Sequence, residues 1–193
     1  MEIKTHINHI IDATFKVLQD VYENQRENGI ARRENPQSRI LFPLKRDCKS
    51  IRISEQEMRF IFVEQLYKEI KNGWDVYYSV ETPTLDTYNF KEEPKHDPDG
   101  QSANVDLIIF NKQFQRIAMI EFKANNPKVR DYKKDFVKLN NKKEGEFVER
   151  FFIEIIKNDD KRTLNNIRGK ILGNEAIFRC WSLEKGREIE ITK

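Results

Sequence analysis

Three residues near the middle of the chain have types and spacing that could do chemistry together: Asp106 and, after fourteen intervening residues, Glu121 and Lys123. Asp106 interrupts the apolar run Val105-Asp106-Leu107-Ile108-Ile109-Phe110, and Glu121 and Lys123 close the run Ile117-Ala118-Met119-Ile120-Glu121-Phe122-Lys123. Alternate side chains of a strand share a face, so Glu121 and Lys123 point to the same side. With the turn at Lys112–Gln115, Phe110 pairs with Ile117, and the same register sets Asp106 opposite Glu121. Like charges directly opposed on a sheet repel each other. A divalent cation between the two carboxylates removes that repulsion, and hard oxygen donors of this kind suit Mg²⁺, with Mn²⁺ as a substitute. On the residues alone, the competing reading is an edge hairpin with solvated charges.

Glu-x-Lys by itself carries little information in a chain with 35% charged residues. Of its four occurrences, Glu2-Ile3-Lys4 opens the chain, Glu69-Ile70-Lys71 falls in a helical pattern and Glu93-Pro94-Lys95 lies in a charged stretch. Only Glu121-Phe122-Lys123 ends an apolar strand at hairpin distance from an acid-bearing one. Asp106 followed by Glu121-x-Lys123 resembles the core signature of the PD-(D/E)xK nuclease superfamily, which includes many restriction endonucleases, archaeal Holliday-junction resolvases and several repair nucleases. Val105 stands where the family name has Pro, and the resemblance covers roughly residues 51–157. It implies a restriction-endonuclease-like α/β fold, a mixed β-sheet flanked by helices. It also implies metal-dependent hydrolysis of phosphodiester bonds in nucleic acid, DNA first, in repair or defence. In that reading Asp106 and Glu121 hold Mg²⁺, and Lys123 positions or activates the attacking water. The Phe122 carbonyl is a candidate to complete the shell. The alternative from a different class is a catalytically inactive nuclease fold that binds nucleic acid or protein.

The elements that must position these residues are legible at coarse grain. Residues 4–28 carry Ile7, Ile11, Phe15, Leu18 and Tyr22 at helical spacing, with Gly29 as the stop. This stripe packs on the domain or on a second copy, which would make a homodimer through the N-terminal helix. Residues 30–50 read as a connection with basic bias from Arg32, Arg33, Lys45 and Arg46, so residues 1–50 form an N-terminal helical extension and residues 51–193 the nuclease-like domain. Ser54-Glu55-Gln56-Glu57 opens a helix to about Lys71, with Ser54 and Glu57 at capping-box spacing. Glu55 instead falls in the inward sector of Met58, Phe62 and Leu66, where an acid wants a partner. The resembled family often carries a Glu at the start of the helix preceding the sheet, so Glu55 is a candidate third metal ligand and catalytic residue, with Glu57 as the competing helix acid.

Trp74–Glu81 alternates as a strand, and residues 82–101 read as a long polar loop whose end, Gln101 and Ser102, would rim the site. After the break at Asn125-Asn126-Pro127, a helix runs to about Asn140 with Val129, Tyr132, Phe136 and Leu139 on its apolar side. Its basic residues Lys128, Arg130, Lys133, Lys134 and Lys138 read as a solvated face; beside a metal site, the first four also suit contact with phosphates. Glu149–Lys157 reads as a strand, Thr163–Leu172 as a short helix, and 176–182 with 187–192 as a closing strand pair. The length of 193 residues allows one substantial core, and no apolar run approaches the ~20 residues of a membrane span. The isolated Cys48 and Cys180 and the scattered His6, His9 and His96 suggest neither a disulfide framework nor a zinc cluster. With a charged start that does not resemble a signal peptide, the expected setting is the cytoplasm. The net charge of +3 is too small to argue for nucleic acid, so that argument rests on the local lysines.

Overall fold

The stripe at the start of the chain folds as α1 (Ile3–Asn28), and Ile7, Ile10, Ile11, Phe15, Leu18 and Tyr22 are all buried. They pack against Met58, Ile61, Phe62 and Leu66 of α2 (Glu55–Lys71) in one core. Each fully buried side chain of this size contributes on the order of 2 kcal/mol. His6 ties the two helices through Glu69 (3.4 Å) and stacks on Trp74 with ring centroids 4.6 Å apart. The stripe is therefore covered within its own chain, and a homodimer through α1 would have to use the opposite, polar face. No helix among the described residues is long and apolar enough to cross a membrane.

The computed structural model describes residues 2–28, 37–46, 50–91, 93–125 and 127–191. The expected roles of Gly29, Arg32, Arg33, Cys48 and Asn126 lie outside the described residues. The strands are β1 (Tyr77–Asn89), β2 (Lys95–His96), β3 (Gln101–Phe110), β4 (Arg116–Ala124), β5 (Glu149–Ile156), β6 (Ile177–Ser182) and β7 (Arg187–Glu188). They form one mixed sheet in the order β2-β1-β3-β4-β5-β6-β7, with β4, β5 and β6 parallel and the remaining neighbours antiparallel. One face carries α1 and α2. The other carries α3 (Val129–Leu139) and α4 (Lys161–Ile171), packed through Tyr132, Phe136, Ile167 and Ile171. A sheet covered on both faces accounts for the nearly continuous apolar runs of β4 and β5. The α/β expectation holds at this level.

Several local expectations change. The polar loop expected at 82–101 is mostly strand. β1 continues to Asn89 with a register shift between Pro83 and Thr87. That irregularity is held from far along the chain: the carboxylate of Glu144, in the 3₁₀ turn Lys142–Glu144, accepts from the backbone N–H of Leu85 (2.8 Å) and of Asp86 (3.0 Å). Proline and an interrupted ladder are compatible with a strand at a bulge. At the β3–β4 turn, Asn111 Oδ1 accepts from the N–H groups of Gln113 (3.0 Å) and Gln115 (2.9 Å), and Phe114 takes φ 56°. This loop pairs Phe110 with Arg116 rather than Ile117. Beyond it, Ile109↔Ala118, Ile108↔Met119 and Leu107↔Ile120 follow the expected register. Ser54 caps α2 by accepting from Gln56 N–H at 3.3 Å rather than from Glu57, and Glu57 Oε2 is buried with no hydrogen-bond partner among the described residues. The reciprocal capping box is not formed.

Candidate functional site

The β3–β4 pairs run from Phe110 to Leu107, and Asp106 and Glu121 are the next positions along their strands. Asp106 Oδ2 accepts from the backbone N–H of Phe122 at 2.8 Å, the peptide between Glu121 and Lys123. Ile120 and Phe122 point into the core under α1 and α2, and Met119 into the core under α3. Alternation thus sends Glu121 and Lys123 toward α3. The three residues singled out by spacing do come together.

They arrive with partners that the spacing did not suggest. Asp106 Oδ1 is bound by Arg59 Nη2 at 2.5 Å, and Arg59 Nη1 also holds Glu81. Lys123 Nζ lies 2.7 Å from Asp135 Oδ2, 3.9 Å from Glu55 Oε2 and 3.1 Å from the Phe122 carbonyl. That carbonyl, a candidate metal ligand, therefore accepts from the ammonium of the next residue. Lys138 Nζ pairs with Glu121 Oε1, lies 3.1 Å from Asp135 Oδ1 and donates to the Asn104 carbonyl at 2.7 Å. Lys138 was expected on a solvated face and is buried instead. Glu55, expected on the buried sector, is only half-buried at the first turn of α2, with its carboxylate on the Lys123 side, whereas Glu57 makes none of these contacts.

Four site residues were thus missed. For Asp135 a signal existed: Tyr132, Asp135, Phe136 and Leu139 make an i, i+3, i+4, i+7 stripe, which places an acid on the buried side of α3. Lys138 lies one turn on from it, and Arg59 one turn on from Glu55. Glu81 gave no signal: it closes an alternating strand pattern, and the sequence does not mark the φ of 49° that it adopts.

Burial raises the Glu121 carboxyl well above the usual range; Asp135 and Asp106 add to the effect and Lys138 opposes it. Glu55 is also raised, first by burial, with Lys123 opposing. For Lys123, burial disfavours the ammonium, but Asp135, Glu121 and Asp106 together outweigh it and hold the proton on. Lys123 is thus a cation at neutral pH. The cluster contains five carboxylates (Glu55, Glu81, Asp106, Glu121, Asp135) against three cations (Arg59, Lys123, Lys138). Among the described residues, no three His, Cys, Asp or Glu side chains gather closely enough to hold a metal by themselves. The protein's own cations sit between the carboxylates. The donor set still fits a hard divalent ion. Its donors are carboxylate oxygens, the type such an ion takes, and burial first, with the neighbouring acids after it, holds Glu121 and Glu55 toward their neutral forms, a shift that a divalent cation would oppose.

The other expected residues lie apart. Gln101 and Ser102 sit at the start of β3 opposite Tyr88 and Thr87 of β1. They lie about 13–16 Å along the strand from Asp106 at ~3.3 Å per residue, too far to rim the site. Arg130 donates to the carbonyls of Phe90 and Lys91, Lys133 pairs with Glu93, and Lys134 lies over the Phe90 ring at 5.7 Å, while Lys128 is exposed at the start of α3.

Next to Lys123 in the β4–β5 register is Glu154, fully buried and taking the Tyr132 hydroxyl at 2.6 and 2.7 Å. Burial pushes its carboxyl up to about 8, only partly opposed by Tyr132, Lys170 and Lys123. The native state therefore binds a proton that the unfolded chain releases near pH 4.5. The stability gained is complete below that pH and is lost as pH rises through about 8. Glu154→Gln keeps an acceptor for Tyr132 and cannot ionise. Its urea-unfolding free energy should exceed that of the parent above pH 8 by on the order of a few kcal/mol, with the gap closing toward pH 4.5. A constant gap across that range would contradict the assignment.

No protein-family model, curated protein or solved structure matches the chain.

Proposed function

We propose that this chain is a metal-dependent nuclease of PD-(D/E)xK type, with a restriction-endonuclease-like sheet, that hydrolyses phosphodiester bonds of nucleic acid, DNA being the first candidate. The observation that carries the reading is the meeting of Asp106, Glu121 and Lys123 at one point of the β3–β4 pair, with Glu55 brought in by α2. Asp106 and Glu121 are the residues to hold Mg²⁺, with Glu55 the candidate third ligand, directly or through water. A bound Mg²⁺ supplies positive charge to the scissile phosphate and a more acidic water. Lys123, kept protonated by the acids around it, donates hydrogen bonds and offsets negative charge developing on the phosphate, and it does not act as a base. Arg59 and the Phe122 N–H fix both oxygens of Asp106, so this carboxylate is oriented before any ligand arrives.

The second reading is a nuclease-like fold that binds nucleic acid or protein without cutting. The observation in its favour is that Arg59 and Lys138 already neutralise Asp106 and Glu121 from within. Labelled single- and double-stranded DNA and RNA, incubated with Mg²⁺, with Mn²⁺ or with EDTA, separate the two. Cleavage that needs the metal supports the nuclease. Metal or nucleic-acid binding without cleavage selects the second reading, and neither binding nor cleavage removes both.

For either reading the face of α3 is the candidate backbone contact. Neutralising Lys128, Arg130, Lys133 and Lys134 together should weaken nucleic-acid binding. For duplex DNA it should flatten the plot of log K against log salt by about 0.9 for each phosphate that the variant no longer neutralises. An unchanged slope assigns Arg130, Lys133 and Lys134 to their contacts with Phe90, Lys91 and Glu93, and Lys128 to plain surface.

A further inference from the structure

Lys138 stands out among the basic residues of α3. Lys133 is exposed, whereas Lys138 is buried and directs its ammonium at Glu121, Asp135 and the Asn104 carbonyl. An ammonium has three N–H donors, and three acceptors surround this one. The acid it meets is Glu121, which the proposed function gives to the metal. Resting on that reading, we propose that Lys138 is the resident counter-cation of the site, its ammonium compensating Glu121 in the metal-free protein and yielding that carboxylate when a divalent ion binds.

The arrangement permits the exchange. Asp135 is shared, with Oδ1 toward Lys138 and Oδ2 toward Lys123. When Glu121 turns to a metal, Lys138 keeps Asp135 and the Asn104 carbonyl, so the displaced charge is not left without a partner. Asp135 is thus the positioning residue that retains both lysines beside an occupied site. Metal loading becomes the replacement of one buried cation by another. Affinity for the metal is set against the ion pair that must open, and two substitutions shift that balance in opposite directions. Removing the lysine removes the competitor. Neutralising Asp135 removes the alternative anchor and commits Lys138 more firmly to Glu121.

The test is isothermal titration of the full chain with Mn²⁺ alone at pH 8, on the parent, Lys138→Met and Asp135→Asn, with thermal unfolding in the presence and absence of Mn²⁺. Lys138→Met should bind Mn²⁺ roughly tenfold or more tightly than the parent. That is a fraction of what Coulomb's law gives for neighbouring cations at an effective dielectric constant of about 20. Its metal-free melting temperature should fall, because a buried carboxylate loses its partner, and saturating Mn²⁺ should restore most of the loss. Asp135→Asn should bind Mn²⁺ more weakly than the parent. Unchanged or weaker binding by Lys138→Met overturns the proposal. Should that variant fail to fold even with Mn²⁺, parental affinity in Asp135→Asn overturns it. Equal binding by all three proteins leaves the nuclease reading standing without this device, and no binding by any of them removes both.

Discussion

Glu144→Ala should destabilise the chain by about 3–5 kcal/mol, the range for breaking a buried charge pair from one side. Glu144 is fully buried, and its two oxygens serve four donors: the N–H groups of Leu85 and Asp86, the Tyr88 hydroxyl at 2.8 Å and Arg116 Nη1 at 2.8 Å. Truncation removes the carboxylate acceptor of the Arg116 guanidinium and the Tyr88 phenol, and it leaves the Leu85 and Asp86 N–H groups without the carboxylate that holds the β1 irregularity. Glu144→Gln should fall between Ala and the parent, because an amide oxygen can still accept while its NH₂ turns donors toward donors. Urea unfolding of the three proteins measures this directly. A loss below about 1 kcal/mol for Ala would mean the network contributes no more than one ordinary hydrogen bond.

The same residue marks where sequence reading reaches its limit. The β3–β4 pair was legible because its information is local: two apolar runs, a polar turn and alternation, and even the register shift between Ile109 and Phe110, which leaves Ile117 as the extra residue, kept the Leu107↔Ile120 register intact. α1 and α2 were legible for the same reason. The extension of β1 through Pro83 was not, since its peptide groups are satisfied by a carboxylate 58 and 59 positions away. The site divides in the same way. Asp106, Glu121 and Lys123 declare themselves by spacing, and Glu55 by its sector on a helical wheel. Asp135 was visible on the Tyr132–Leu139 stripe and hidden by the four lysines and one arginine around it, which made the whole helix read as solvated. Lys138 could not be told from Lys133 or Lys134 by composition, because its burial follows from which way α3 rolls against the sheet. Gln101 and Ser102 failed because they were placed by nearness in sequence to Asp106, and a strand carries its residues away at ~3.3 Å each.

Glu121→Gln is expected to separate function from stability. The substitution keeps size and shape and removes the charge from a carboxyl that burial, Asp135 and Asp106 all push toward its neutral form. Lys138 keeps Asp135 and the Asn104 carbonyl, so its ammonium is not orphaned. Metal-free stability should therefore change little or rise. The sign follows from linkage: a carboxyl raised in the folded state weakens the fold as pH climbs above its unfolded value, and Gln removes that loss. The advantage of Gln should grow from pH 5 toward pH 8. Under the nuclease reading the same change removes an anionic ligand. Partners that merely orient metal ligands typically cost 10–100-fold when lost, so Mg²⁺-dependent cleavage should fall by at least about 100-fold. A protein as stable as its parent and inactive by that factor is the signature of a carboxylate kept for a ligand. Cleavage within a few-fold of the parent would take Glu121 out of the chemistry and leave it as the counter-ion of Lys138. A large loss of stability in Gln would show that the Lys138 pair, and not a metal, is what this acid is kept for.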